Sequence, residues 1–203
     1  MDKVGNASES ECLLMKQQNQ QMGGNAVMTE ISTYRDATLG QLNAALRTLS
    51  ECVERCPDEG WSEPVHELKF CQTAFHALFF TDLYLDDGID EMKQQVFHKQ
   101  HENVFRDYEE FSPKKPEHEY ERPWMNLYIQ HCRDKATRVV NAENAESLAQ
   151  QVSFDWLEIT RAEMHVYTLR HLEHHAAQLI LRLRQQGVDV GGGWVKTGWG
   201  PYV

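Results

Sequence analysis

The sequence predicts an all-α fold, a four-helix bundle in a single domain. Three observations predict it. Apolar residues recur at spacings of three and four in four separate segments, the period of a helix with one buried face. Stretches that alternate apolar and polar residues are few, so a sheet has little to build on. The chain of 203 residues, 41% of them apolar, is long enough for one well-cored domain and short for two.

The elements follow in order. Residues 1–27 are polar and rich in Gln, Asn and Ser. They keep no apolar period and read as a mobile arm with at most one short helix. Periodicity begins near Thr29. Leu39, Leu42, Leu46, Leu49 and Val53 form one stripe, and Pro57, Asp58 and Gly60 end it. Pro64 suits the start of a second helix. From Glu67 to Asp86 the apolar residues cover more than one stripe, so this helix is more deeply buried than the first. Residues 89–117 are charged and weakly patterned. They read as a short helix near Glu91–His101 and then a loop closed by Ser112-Pro113-Lys114-Lys115-Pro116. A connection of that length lets the helices on either side run parallel. A third helix follows Pro123, through Trp124, Leu127, Tyr128, His131, Val139 and Val140. The fourth runs from about Leu157 to Gln186 and stops at Gly187. The bundle therefore spans residues 28–187. The Gly- and Trp-rich tail, 188–203, is too irregular for a helix, and its Trp194, Trp199 and Tyr202 are suited to pinning it onto the bundle.

Charge narrows the function classes. Twenty basic and 31 acidic residues leave a net charge of −11. Nucleic acid and anionic membrane surfaces both call for a basic face, so neither is expected as a partner. No window approaches the roughly 20 apolar residues of a membrane span. The N-terminus lacks a basic patch followed by an apolar stretch, and the five cysteines lack the spacing of a disulfide scaffold. The reading is a cytoplasmic protein with free thiols.

Arg170-His171-Leu172-Glu173-His174-His175 carries the chemistry. His171 and His175, four apart on a helix, project from one face about a turn apart and can reach one metal ion. They can equally be a half-buried polar pair. Leu172 stands where a zinc protease of the HExxH type has its glutamate, so that general base is missing. His76 lies inside Ala74-Phe75-His76-Ala77-Leu78, where a polar ring needs a partner. It is either a hydrogen-bonded core residue or a third ligand facing the helix-four pair. Three neutral imidazoles on a divalent ion leave positions for water, the mark of a catalytic site. Tyr167, Glu173, His174 and Asp82 are candidates for supporting the ligands or lining the pocket, and each also has an ordinary packing or surface role. Cys52, Cys56 and Cys71 lack a fourth ligand at clear spacing, and Gly191-Gly192-Gly193 lacks the order of a phosphate loop.

A His in the second helix, a gap of 95 positions, and HxxxH in the fourth helix followed by Gln-Gly together resemble the DinB/YfiT-like family of metal-binding four-helix bundles. The resemblance covers about Thr29 to Gly187. It implies an up-down-down-up bundle with a long crossover between helices two and three. It implies one divalent ion, zinc or nickel with iron or cobalt also suited, on His76, His171 and His175. It also implies a homodimer, for which Phe70 and Phe80 are candidate interface residues, and a small-molecule substrate. The activity implied is a thiol S-transferase using a low-molecular-weight thiol, or a hydrolase. A non-catalytic, stress-related metal- or ligand-binding bundle is the alternative, since fold does not decide reaction.

Overall fold

A computed structural model describes the backbone of residues 9–201 other than 113, and the side chains of residues 28–201 other than 107 and 113, so Tyr202 lies outside the described residues. The chain is all-helical: no strand occurs among the described residues, only two isolated bridges, Pro64 with Lys69 and Gln151 with Thr160. Four long helices dominate. They are α1 (Glu9–Arg55), α3 (Phe70–Tyr84), α7 (Arg122–Ala142) and α9 (Arg161–Gln185). Between them lie the short helices α2 (Asp58–Trp61), α4 (Ile89–Gln94), α5 (Val96–Gln100), α6 (Glu102–Phe105) and α8 (Ala145–Ala149), and a 3₁₀ turn at Arg106–Phe111.

The long helices share one core. α1 contributes Leu46, Leu49 and Val53; α3 contributes Phe75, Leu78 and Phe79; α7 contributes Met125, Tyr128 and Cys132; α9 contributes Leu172, Ala176 and Leu179. Their register is read from cross-helix contacts. The Tyr34 hydroxyl and His165 Nδ1 lie 3.0 Å apart, and Cys52 Sγ lies 4.0 Å from the Ala176 carbonyl. Arg35 Nε donates to the Glu143 carbonyl at 2.7 Å, while Arg122 donates to the Val53 carbonyl. Cys132 meets the Leu78 carbonyl at 3.6 Å, and Lys135 Nζ donates to the Asp82 carbonyl at 2.7 Å. His76 faces His175, and Tyr84 faces Tyr167, with ring centroids 4.7 and 5.3 Å apart.

Several boundaries differ from the sequence reading. The first helix extends back through the polar segment to Glu9. That segment contains no proline, and its Gln, Met, Lys and Glu residues are good helix formers, so a helix can propagate without an apolar face. Residues 1–8 lie outside the described residues. The second long helix starts at Phe70, not Glu67. The fourth starts at Arg161, not Leu157, because Thr160 caps it: its hydroxyl accepts from the Glu163 amide while the Glu163 side chain returns to the Thr160 amide. Phe70 is fully buried and so presents no face to a second copy, while Phe80 packs half-buried against the core.

The tail runs along α1. The Val195 amide donates to Thr48 Oγ1 at 3.0 Å, the Gly198 amide to the Gly40 carbonyl at 2.8 Å, and Val190 and Val195 are buried. No helix among the described residues is long and apolar enough to cross a membrane.

Candidate metal centre

Two helices bring the predicted histidines together. α3 is buried on nearly every side, as its apolar run requires, and His76 is among its few residues not fully enclosed. α9 presents His171 and His175 one turn apart toward it. One nitrogen from each of the three rings lies within 4.8 Å of the others. The ring centroids are separated by 5.3 Å (His76–His171), 4.7 Å (His76–His175) and 4.6 Å (His171–His175).

The hydrogen bonds define the donor set. His175 Nδ1–H donates to Gln178 Oε1 at 2.9 Å, which leaves Nε2 bare. That Nε2 lies 3.2 Å from His171 Nε2. His76 Nδ1–H donates to Glu110 Oε2 at 2.6 Å. Burial, then the neighbouring rings of His175, His76 and His174, push His171 down to about 3. Burial and then His76 push His175 down to about 4. Both rings are therefore neutral near pH 7 and hold lone pairs for a metal. Two imidazole nitrogens on a tetrahedral ion, at about 2.0–2.1 Å each, would sit about 3.3 Å apart. The His171–His175 spacing matches that distance, and the residues fit a divalent ion.

The sequence reading missed Glu110, Glu109, His66 and Gln178 as site residues. Glu110 and Glu109 come from the 3₁₀ turn, and His66 from the loop before α3. With His76, Lys114 and His175 these three line a cleft of about 250 Å³ at the imidazoles. Gln178 was within reach of a sequence argument, because it lies three positions after His175 on the same helix.

The other predicted residues lie farther out. His174 is exposed and accepts from the Gln178 amide at 3.2 Å. Glu173 lies toward Cys52, and burial raises its pKa. Tyr167 packs on Tyr84, whose ring lies 6.1 Å from that of His171. The thiols Cys52 and Cys56 are each pushed up to about 12 by burial, which leaves them weak as ligands and nucleophiles.

Asp82 belongs to a second cluster. It is fully buried, accepts from His98 Nε2 at 2.7 Å and from the Tyr128 hydroxyl at 3.0 Å, and lies 3.5 Å from His131 Nε2. Asp82, His98 and His131 also place ligating atoms within 4.8 Å of one another. The buried Lys135 ammonium, however, already pairs with Asp82 and with Asp86. Burial alone would raise the Asp82 carboxyl, but the Lys135 charge and the contacts with His131 and His98 hold it well below the usual carboxylate range. A divalent ion would meet a resident cation there, so this cluster fits a metal less well than the three imidazoles do. A larger cavity of about 540 Å³, bounded by Asp86, Glu143 and Arg161 among others, lies away from the imidazoles. Its Arg161 is already paired with Glu143 at 2.9 Å and Asp87 at 3.1 Å.

No family model matches the chain, and no curated protein or solved structure matches it significantly.

Proposed function

We propose that this chain is a divalent-metal-binding protein of DinB-like architecture, acting as a metal-dependent enzyme of the thiol S-transferase or hydrolase type on a small molecule. The observation that carries the reading is the meeting of three imidazoles from two helices, with the His171 and His175 Nε2 atoms 3.2 Å apart.

The helix pairings support an up-down-down-up bundle. Tyr34 with His165 and Cys52 with Ala176 advance together, as do Leu78 with Cys132 and Asp82 with Lys135. Arg35 with Glu143 and Val53 with Arg122 run opposed, as do His76 with His175 and Tyr84 with Tyr167. The crossover 85–121 then joins two helices of the same direction.

A divalent ion held by the three rings would supply Lewis-acid polarisation of a substrate or thiol. Zinc, nickel, iron and cobalt all suit imidazole. The chain's own groups do the rest. Gln178 holds His175 in the ligating tautomer. The cleft beside His76 and His175 admits a small molecule to the rings, which favours catalysis over a closed structural site. A homodimer belongs to the same reading, with exposed Val166 and Leu181 of α9 as the apolar surface. A single 23.6 kDa species in sedimentation at micromolar concentration would remove that part.

The test is metal content after purification without chelator or affinity tag, on wild type and His171→Ala. About one equivalent of zinc or nickel in the wild type and its loss in the variant is the expected result. No metal in either, with none taken up on addition, would overturn the enzyme reading.

A further inference from the structure

We propose that Glu110 is the positioning residue of the three-imidazole site, selecting the tautomer in which His76 turns a bare Nε2 toward His171 and His175. The inference rests on the metal reading above and assigns a role inside it to a residue from the crossover.

Three observations lead to it. The first is the contact itself: Glu110 Oε2 accepts from His76 Nδ1–H at 2.6 Å, and the Glu110 side chain is only 4% exposed. Its other oxygen, Oε1, is buried with no hydrogen-bond partner. A carboxylate with one oxygen unsatisfied is a costly way to stabilise a fold, since burial of a charge is repaid only by full pairing. Its one bond goes to a predicted ligand.

The second is the backbone that delivers it. Arg106 and Tyr108 adopt left-handed conformations, with φ of 39° and 61°. Each costs about 1–2 kcal/mol for a residue with a Cβ, and such strain collects where surrounding structure demands a particular geometry. The segment is anchored on both sides of Glu110. The Tyr108 hydroxyl lies 3.2 Å from His98 Nδ1, and the Phe111 ring packs 5.4 Å from that of Phe79.

The third is the division of labour among the rings. Gln178 Oε1 accepts from His175 Nδ1–H, so two of the three imidazoles have their outer nitrogen occupied and the inner one left bare. His76 alone has a carboxylate as acceptor. A carboxylate on the outer nitrogen of a ligating imidazole fixes its orientation and raises the basicity of the inner nitrogen.

The experiment compares wild type, Glu110→Ala and Glu110→Gln, with folding checked by circular dichroism. Long-range ¹H–¹⁵N imidazole spectra of the metal-free proteins report the His76 tautomer, assigned against His76→Gln. Competition titration with zinc reports affinity. In the wild type His76 is the Nδ1–H form. Glu110→Ala loses that preference and binds zinc 10- to 100-fold more weakly. Glu110→Gln, whose amide oxygen still accepts, keeps the tautomer and loses affinity several-fold. Zinc affinity within twofold of wild type in either variant, or an unchanged His76 tautomer in Glu110→Ala, would overturn the proposal. Failure of the wild type to bind zinc would instead sink the metal reading, while the tautomer spectra would still decide what Glu110 does to His76.

Discussion

His175 Nε2 faces His171 Nε2 at 3.2 Å, while His175 Nδ1–H is held by Gln178 three residues further along the same helix. Two turns of α9 thus hold both rings and the group that orients one of them. If this pair binds a metal, the metal stabilises the folded state. Zinc at about 100 times its dissociation constant should add about 2.7 kcal/mol to wild-type stability. In His175→Ala that gain should vanish. Thermal unfolding with and without zinc checks it, and an equal gain in both proteins would contradict the site.

Lys135 should be the most sensitive single residue outside that site. Lys135→Met leaves the buried Asp82 and the partly buried Asp86 carboxylates without their cation. The expected loss is about 3–5 kcal/mol in urea unfolding. Adding Asp82→Asn should recover part of it, because the pair is coupled and the two losses do not add. Additive losses would show that the pair does not act as a unit.

Acid should act on the Glu143 network. Burial alone would raise this carboxyl, yet contacts from His165, Ser147 and Arg161 outweigh it and bring its pKa down to about 2. A depressed carboxylate contributes stability that is fully present above its unfolded value near 4.3 and is lost as pH falls toward about 2. With solvent screening, that contribution is up to about 2 kcal/mol. Glu143→Gln should lose less stability than wild type between pH 5 and 2, measured by urea midpoints. Parallel pH curves for the two proteins would refute it.

Trp199 should anchor the tail. The Arg133 and Arg47 guanidinium groups sit over its ring, 4.4 and 5.6 Å from the centroid, and the ring packs half-buried on the core. Trp199→Ala should cost about 1–2 kcal/mol from two partly exposed cation–π contacts and lost apolar burial. Trp194, which is 62% exposed, should tolerate the same change within about 0.5 kcal/mol. Equal costs at the two positions would mean that the tail docks differently.

What the sequence determined by itself is local. The apolar period marks the cores of the four long helices, and Pro57 and Gly187 stand where α1 and α9 have ended. The four-residue spacing of His171 and His175 put both on one face, because a helix repeats every 3.6 residues whatever surrounds it. The start of α9 was legible too, in Thr160 followed three positions later by Glu163, although the apolar pattern pointed to Leu157. The tertiary structure decided which distant groups meet. Glu110, 34 positions after His76, reaches it only through a crossover whose charged residues carry no period. Asp82 stands on the same helix as His76, yet it looks to Lys135 and His98 because α7 and α5 flank it there. Periodicity states which side of a helix is buried. Which partner covers that side depends on how all the helices pack at once, and a buried charge then takes the nearest group that can pay for its lost water.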